Sequence, residues 1–543
     1  MPAQRNLAAP DASPQQKAHP RALAPATLAL ILLLSLAGAL IGIRLIATLG
    51  ITPNTSIIGA MTAMALARLP LALSHRFRSP HVQNLAQSAM SSATFGAANC
   101  LLLPIGIPFV LGRPDLVLPL LAGVALAMIL DGYMLYRLYG SSIFPSAGAW
   151  PPGVAAAETI RAGDGGGRGV RMLGLGAAVG IAGGAAGIPM LAFGVAFIGS
   201  APALLAFGIG LLLKGYAGLF AGTPLPELVD AAGLDAALLP HGMMIGAAAV
   251  ALVQMAAKLS RRRTESVLAA AGTASRTLAG GFLAYTAIAA FVALAGGLAS
   301  ELSLPLLFAF ILYAAAAALV HELIVGISAM HSGWFPAFAL ALVTLMIGLA
   351  LGFPPLALAL LAGFTAATGP AFADMGYDLK TGTLLRAGLG EEFERDGRRQ
   401  QFLSSLFAFA VAVLVVLFSW RDLFEDGLIP PIDHVYAAVI EAGMQAHTVE
   451  SLAAWALPGA LLQWAGGPGR QLGVLFATGL LLGTAAAGFA VLVGLAVRFL
   501  WQRLDPSAEQ ARHVFGGGVI AGDALFGVAQ GVWDGIYAEE NRV

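Results

Sequence analysis

The stretch LALALLAGFTAATGPAFADMGYDLKTGTLLRAG occupies residues 356–388 and joins a long apolar run to an acidic pair. Asp374 and Asp378 stand four residues apart, so a helix that continues through them presents both carboxylates on one face. Gly376 and Gly382 make unwinding there an equal alternative. Carboxylates at the end of or inside a membrane helix are costly in lipid, and they mark ion, proton or substrate sites that face protein or water. The structural alternative is that Lys380 neutralises Asp378 at a helix end.

The composition around this stretch is that of an integral membrane protein. Hydrophobic residues make up 58% of the 543 residues and charged residues only 11%. The apolar runs are roughly 18 to 28 residues long, which suits helices that cross a hydrocarbon core of about 30 Å and not the short alternating strands of a barrel. The 67 glycines suit helices packed closely in lipid. The sequence therefore predicts an all-α polytopic membrane bundle.

The order of the apolar runs predicts about 14 to 16 membrane segments, some of them broken or re-entrant, in two related halves. We place these halves at residues 23–258 and 259–535, with a disordered cytoplasmic N-terminus at 1–22 and a tail at 536–543. Basic residues on both sides of the first helical hairpin predict that the N-terminus lies in the cytoplasm. They are Arg5, Lys17, Arg21, Arg68, Arg76 and Arg78. The orientation of the segments between residues 145 and 258 stays open.

An early segment, HVQNLAQSAMSSATFGA at residues 81–97, carries a polar face. Asn84, Gln87 and Ser88 recur there at helical spacing, and this face is too polar for lipid. We expect these side chains to line a central cavity that they share with Asp374. Hydrogen bonding between packed helices is the alternative.

Two further segments carry candidate site residues. Residues 144–167, FPSAGAWPPGVAAAETIRAGDGGG, are split by Pro151-Pro152 and contain Glu158. Irregular backbone at membrane depth is tolerated where it lines a cavity, so Glu158 is expected to face the cavity of Asp374. The last apolar piece contains Gly518 and Gly522 at GxxxG spacing, with Asp523 beside them.

Several other functions are excluded or weakened by motifs that are absent or incomplete. The sequence contains no GxxxxGK[ST] stretch for an ATP-driven pump, and His321-Glu322 lacks the second histidine of HExxH because Val325 stands there. No metal site or cofactor is expected. A net charge of zero suggests no nucleic-acid partner.

Two membrane functions remain as alternatives to transport. Tyr377-Asp378 and Gly522-Asp523 mimic the paired motifs of an intramembrane aspartyl protease, although Ile520 stands where the second motif needs glycine. A channel would also contain broken helices and buried carboxylates.

Four blocks of the sequence resemble the oligopeptide transporter (OPT) superfamily, which includes the yellow-stripe-like metal-chelate carriers. They are FADMGYDLKTGTLL, HVQNLAQSAMSSATFGA, FPSAGAWPPGVAAAETIRAG and GGGVIAGDALFGV. The resemblance implies secondary active transport of small peptides or peptide-like compounds with a proton, and metal chelates are the alternative substrate. It places the protein in the lipid bilayer as a multi-pass protein of a bacterial cytoplasmic (inner) membrane. A homodimer is among the expected assemblies.

Within this hypothesis the candidate residues fall into two groups. Asn84, Gln87, Ser88, Glu158 and Asp523 are expected to line the substrate cavity. Gating and proton coupling are assigned to Asp374, Asp378 and Lys380, because a carboxyl group in apolar surroundings favours its neutral form and a nearby ammonium favours the charged one. Asp374 has no lysine or arginine within five residues and is the expected proton carrier, while Asp378 is the expected salt-bridge partner of Lys380.

Overall fold

A computed structural model describes residues 18–49, 56–68, 74–165, 168–222, 234–260, 265–333, 335, 337–443, 448–482 and 484–540. Within these ranges the chain forms α-helices joined by short connections, and no β-strand occurs in the described part. The all-α polytopic membrane bundle predicted from the sequence is confirmed.

Eleven α-helices precede residue 296. In chain order they are α1 (Pro25–Leu49), α2 (Ser56–Arg68), α3 (Pro80–Phe95), α4 (Leu103–Val110), α5 (Val117–Leu138), α6 (Pro151–Gly165), α7 (Arg168–Ala185), α8 (Met190–Val195), α9 (Ala201–Gly215), α10 (Leu239–Ser260) and α11 (Glu265–Ala295). A π-helical stretch, Gly96–Leu102, joins α3 to α4.

The helices of the remaining chain are α12 (Leu298–Glu301), α13 (Leu304–Ser332), α14 (Ala337–Ala350), α15 (Pro355–Ala367), α16 (Pro370–Leu385), α17 (Glu391–Glu425), α18 (Pro431–Ala442), α19 (Thr448–Arg470), α20 (Leu472–Leu482), α21 (Ala485–Leu504) and α22 (Glu509–Glu540).

Among the described residues, nine helical segments are long and apolar enough to cross a membrane, and four shorter apolar helices accompany them. The protein is therefore a multi-pass membrane protein. The total of 14 to 16 segments, the two related halves and the cytoplasmic N-terminus stay predictions. Residues 1–17 and 541–543, which include most of the predicted N-terminal segment, lie outside the described residues.

The two most deeply buried spans are both interrupted. The first consists of α3, the π-helical stretch and α4, and the second consists of α15 and α16. They lie antiparallel, because α3 packs against α16 while α4 packs against α15. Half-helices that meet inside the bundle are the usual setting of binding sites in transporters.

The second break occurs at Thr368 and Gly369. Gly369 adopts φ +101°, which L side chains rarely adopt, and Pro370 then occupies the first position of α16. The sequence left open whether the preceding helix continues through the acidic pair or unwinds at Gly376 or Gly382, and the structure shows neither, because the break lies before the pair. The pair belongs to a new helix, α16, which is continuous from Pro370 to Leu385.

The GxxxG glycines do pack helix against helix. A Cβ added to Gly176 of α7 would lie 3.0 Å from the Cα atom of Gly518 on α22. A Cβ added to Gly180 would lie 3.1 Å from the Cα atom of Gly522. Such close approach is what small residues provide where lipid removes the hydrophobic drive between helices.

This contact predicts a difference between two identical substitutions on one helix. Gly180→Ala should destabilise the protein by about 1–3 kcal/mol, because the added methyl group forces α7 and α22 apart. Gly174→Ala should be neutral or stabilising, since a Cβ on Gly174 meets nothing within 4 Å. Thermal unfolding of both variants in detergent would measure the difference, and equal stabilities would contradict the close contact.

Candidate functional site

The centre of the candidate site is the contact between α16 and α3. Ser91 donates a hydrogen bond to Oδ1 of Asp374, and Ser92 donates to its Oδ2 at 3.1 Å. One turn later, the Gln87 amide donates to Oδ1 of Asp378, whose Oδ2 lies 3.4 Å from the Ser92 hydroxyl. The two carboxylates therefore share one face of α16, as their spacing predicts, and that face meets the polar face of α3.

A third helix, α17, completes the cluster. The side-chain nitrogen of Gln401 lies 3.3 Å from Oδ1 of Asn84, 3.2 Å from the Ser88 hydroxyl and 2.7 Å from the backbone oxygen of Asp378. The Ser92 hydroxyl also lies 2.9 Å from the Ser405 hydroxyl, which can donate to it. Gln401 and Ser405 were not identified from the sequence. They stand four residues apart where the charged start of α17 gives way to its apolar part, and this spacing is the signal that could have found them.

The cluster is closed off from solvent, and its carboxyl groups form no ion pair with the described residues. Asn84, Gln87, Ser88 and Asp378 are fully buried, and Asp374 is 1% exposed. Of the ion pairs formed between described residues, none includes Asp374 or Asp378. Two neighbouring carboxylates cannot both be charged in such a place without a large cost, so the arrangement favours a proton shared by the pair.

Three buried polar atoms of the cluster make no hydrogen bond within the described structure. They are one donor nitrogen, Nδ2 of Asn84, and two acceptor oxygens, Oε1 of Gln87 and Oε1 of Gln401. Buried polar atoms without partners are uncommon and need an explanation, which a polar ligand or water would supply.

Lys380 does not form the predicted ion pair with Asp378. Its ammonium group donates to the backbone oxygen of Ser146 at 3.0 Å, in the irregular segment before α6. Residues two apart on a helix point to nearly opposite sides, so Lys380 and Asp378 cannot face each other on α16. The structural alternative for the acidic pair, neutralisation by Lys380, is wrong for the same reason.

The segment around Pro151-Pro152 also differs from the prediction. The two prolines begin α6 and do not split it, and the irregular backbone lies before them. Trp150 in this backbone adopts φ +43°, and its backbone N–H donates to the backbone oxygen of Met330 at 2.9 Å. The Trp150 ring packs closely against Gly376 of α16. The irregular segment thus holds the side of α16 opposite the carboxylates.

Glu158 is buried on α6 but already has a partner. Its carboxylate lies 2.8 Å from the Arg161 guanidinium, which also donates to the backbone oxygen of Leu384 near the end of α16. None of the described hydrogen bonds joins Glu158 to the Asp374 cluster. Its role in the cavity stays a prediction.

Asp523 is placed by a different contact. Its Oδ2 accepts a hydrogen bond from the backbone N–H of Leu191 at 2.9 Å, at the start of the short helix α8. No described hydrogen bond connects it to Asp374 or Asp378. A role for Asp523 in substrate binding likewise stays a prediction.

Comparison with known families supports the resemblance found in the sequence. The family model described as OPT oligopeptide transporter protein matches residues 236–533, which is more than half of the chain. This range contains α16 with Asp374, Asp378 and Lys380, and also Asp523, whereas the amide face of α3 and Glu158 precede it. No curated protein matches the chain.

Proposed function

The chain belongs to the OPT oligopeptide transporter family, and we propose that it takes up small peptides or peptide-like compounds by proton symport. As a member of this family it is a membrane transporter and not an enzyme. The proposal further places it in a bacterial cytoplasmic membrane with its N-terminus inside.

We infer proton coupling from the pair of buried carboxyl groups on α16. Among the described residues, the donors of hydrogen bonds to Asp374 and Asp378 are neutral, namely Ser91, Ser92 and Gln87. A pair that binds a proton changes the net charge at the contact of α3, α16 and α17. Because a charged pair repels and a protonated pair does not, loading and release of the proton would favour different packings of these helices.

The unpartnered atoms beside the pair suit a peptide. The free donor of Asn84 and the free acceptors of Gln87 and Gln401 complement the C=O and N–H groups that every peptide unit presents. We therefore favour peptides over metal chelates as substrates. Lys380 is assigned to gating, because its hydrogen bond to Ser146 joins α16 to the irregular segment before α6. This hydrogen bond would break when α16 and the irregular segment move apart.

The protease alternative finds no geometric support in the described contacts. Asp378 has Asp374 as its carboxyl neighbour, while Asp523 binds the backbone of α8. A shared proton between Asp378 and Asp523, which that chemistry needs, would require them to meet.

Uptake into proteoliposomes tests the proposal. With an acidic exterior, labelled di- and tripeptides should accumulate, since one pH unit sustains about tenfold accumulation for one proton per substrate. Collapse of the gradient should remove accumulation but leave exchange of labelled for unlabelled peptide. Accumulation that survives the collapse would remove proton coupling. Uptake of metal chelates but not of peptides would change the substrate assignment. Labelled peptide that only equilibrates, with no accumulation in counterflow against unlabelled peptide inside, would indicate a channel.

A further inference from the structure

A second group of buried acidic side chains lies on three other helices. The Tyr285 hydroxyl of α11 donates to Oδ1 of Asp131 on α5, and it also lies 2.8 Å from Oε2 of Glu322 on α13. All three side chains are fully buried. In the sequence, Glu322 stands out only as part of an incomplete HExxH motif.

The number of protons available to these contacts decides their chemistry. A tyrosine hydroxyl has one proton to donate, so it cannot donate to both carboxyl groups. One of the two contacts therefore needs a proton on the carboxyl group, which then donates to the tyrosine oxygen. The geometry requires one proton beyond that of Tyr285 itself.

The surroundings indicate which carboxyl group holds this proton. Oδ2 of Asp131 accepts the backbone N–H of Gly369 at 2.5 Å, at the N-terminus of α16, where a negative charge is favoured. Oε1 of Glu322 is buried and has no hydrogen-bond partner in the described structure. A carboxylate oxygen left bare in this way is very costly, whereas the carbonyl oxygen of a neutral acid is less so. Glu322 is therefore the neutral acid and Asp131 the anion.

We propose that Glu322, Tyr285 and Asp131 form a proton-binding relay that is separate from the Asp374 pair. The Glu322 proton passes to the tyrosine oxygen while the original Tyr285 proton passes to Asp131. One O–H bond breaks at Glu322 and one forms at Asp131, and the total charge is unchanged. The transfer thus moves the carboxyl proton from Oε2 of Glu322 to Oδ1 of Asp131, whose Oδ2 contacts the break in the second interrupted helix.

Proton transfer in this relay would act on α16. A charged Asp131 holds the Gly369 N–H and compensates the helix N-terminus, and protonation of Asp131 weakens both interactions. Gly369 stands five residues before Asp374 on the same segment. The relay would therefore loosen the break that positions the Asp374 pair. Proton binding by Glu322 is independent of the proposed transport function, whereas the effect of the relay on the Asp374 pair rests on that function.

Two other titratable groups face the same region. Nδ1 of His321 lies 2.7 Å from the backbone oxygen of Thr368, and Nε2 lies 2.6 Å from the backbone oxygen of Ala337. The His321 ring therefore also contacts the break at Thr368 and Gly369. The second is the buried thiol of Cys100 in the π-helical stretch that joins α3 to α4.

Infrared spectroscopy of the full-length protein in lipid tests the relay without any transport. A protonated carboxyl group has a C=O stretching band that shifts when its proton is exchanged for deuterium. The unaltered protein should show such a band that Glu322→Gln lacks. Tyr285→Phe should shift this band because the donated hydrogen bond is lost, and Asp374→Asn should leave it in place.

The outcomes separate this proposal from the proposed function. A spectrum of Glu322→Gln that matches that of the unaltered protein would overturn the relay. An unshifted C=O band in Tyr285→Phe would also overturn it, and this second variant provides the test if Glu322→Gln does not fold. If the Glu322 band is present but Asp374→Asn still accumulates peptide, the relay stands and the coupling role of Asp374 fails.

Discussion

Asp374→Asn is expected to abolish proton-driven accumulation of peptide while exchange across the membrane continues. Asparagine keeps the size of the side chain and one acceptor oxygen for one of the two serines, and its amide nitrogen can donate to the hydroxyl of the other. It cannot bind or release a proton, so the gradient no longer drives the cycle. At one pH unit, accumulation should fall about tenfold, to the external concentration. Paired measurements of net uptake and counterflow in proteoliposomes would show this separation.

A matched control uses the same chemical change at an exposed carboxylate. Asp422→Asn lies on α17 at the surface and should accumulate peptide like the unaltered protein. Normal accumulation by Asp374→Asn, with an unchanged dependence on pH, would show that Asp374 is not the proton carrier.

Asp378→Asn is expected to give the same loss of accumulation without loss of folding. Asparagine retains an acceptor for Gln87, and Lys380 keeps its contact with Ser146 because it never paired with Asp378. If the two carboxyl groups share one proton, they act as a unit and the effects of the substitutions are not additive. The double variant with both asparagines should therefore be no worse than either single variant.

Stability and transport must both be measured for this variant. Melting temperature in detergent should stay that of the unaltered protein, and accumulation should be lost. A protein that fails to fold would restore the hypothesis that Asp378 belongs to a structural ion pair. A double variant with a further loss of exchange would show that the two carboxyl groups act separately.

Local spacing was enough to identify the two polar helix faces that meet in the structure. The four-residue interval between Asp374 and Asp378 and the polar interval from Asn84 to Ser88 each define one face of a helix. Polar faces that lipid excludes must meet each other or line a cavity, and the structure brings these two together. The same rule applied to Gln401 and Ser405 would have identified α17 as the third helix of the cluster.

Other features depend on geometry that spacing alone does not reveal. Lys380 is close to Asp378 in sequence but points away from it, because α16 is continuous there. The break at Gly369 was missed because a glycine next to a proline is common in membrane helices. The relay of Asp131, Tyr285 and Glu322 joins three helices far apart in sequence, and no local pattern connects them.

Proton movement during peptide uptake tests the central claim most directly. Vesicles containing a pH-sensitive dye and the purified protein are given peptide without an imposed gradient. We expect the interior to acidify as peptide enters, and to stay at constant pH with Asp374→Asn. Peptide that enters through the unaltered protein with no change of internal pH would contradict proton symport through the Asp374 pair.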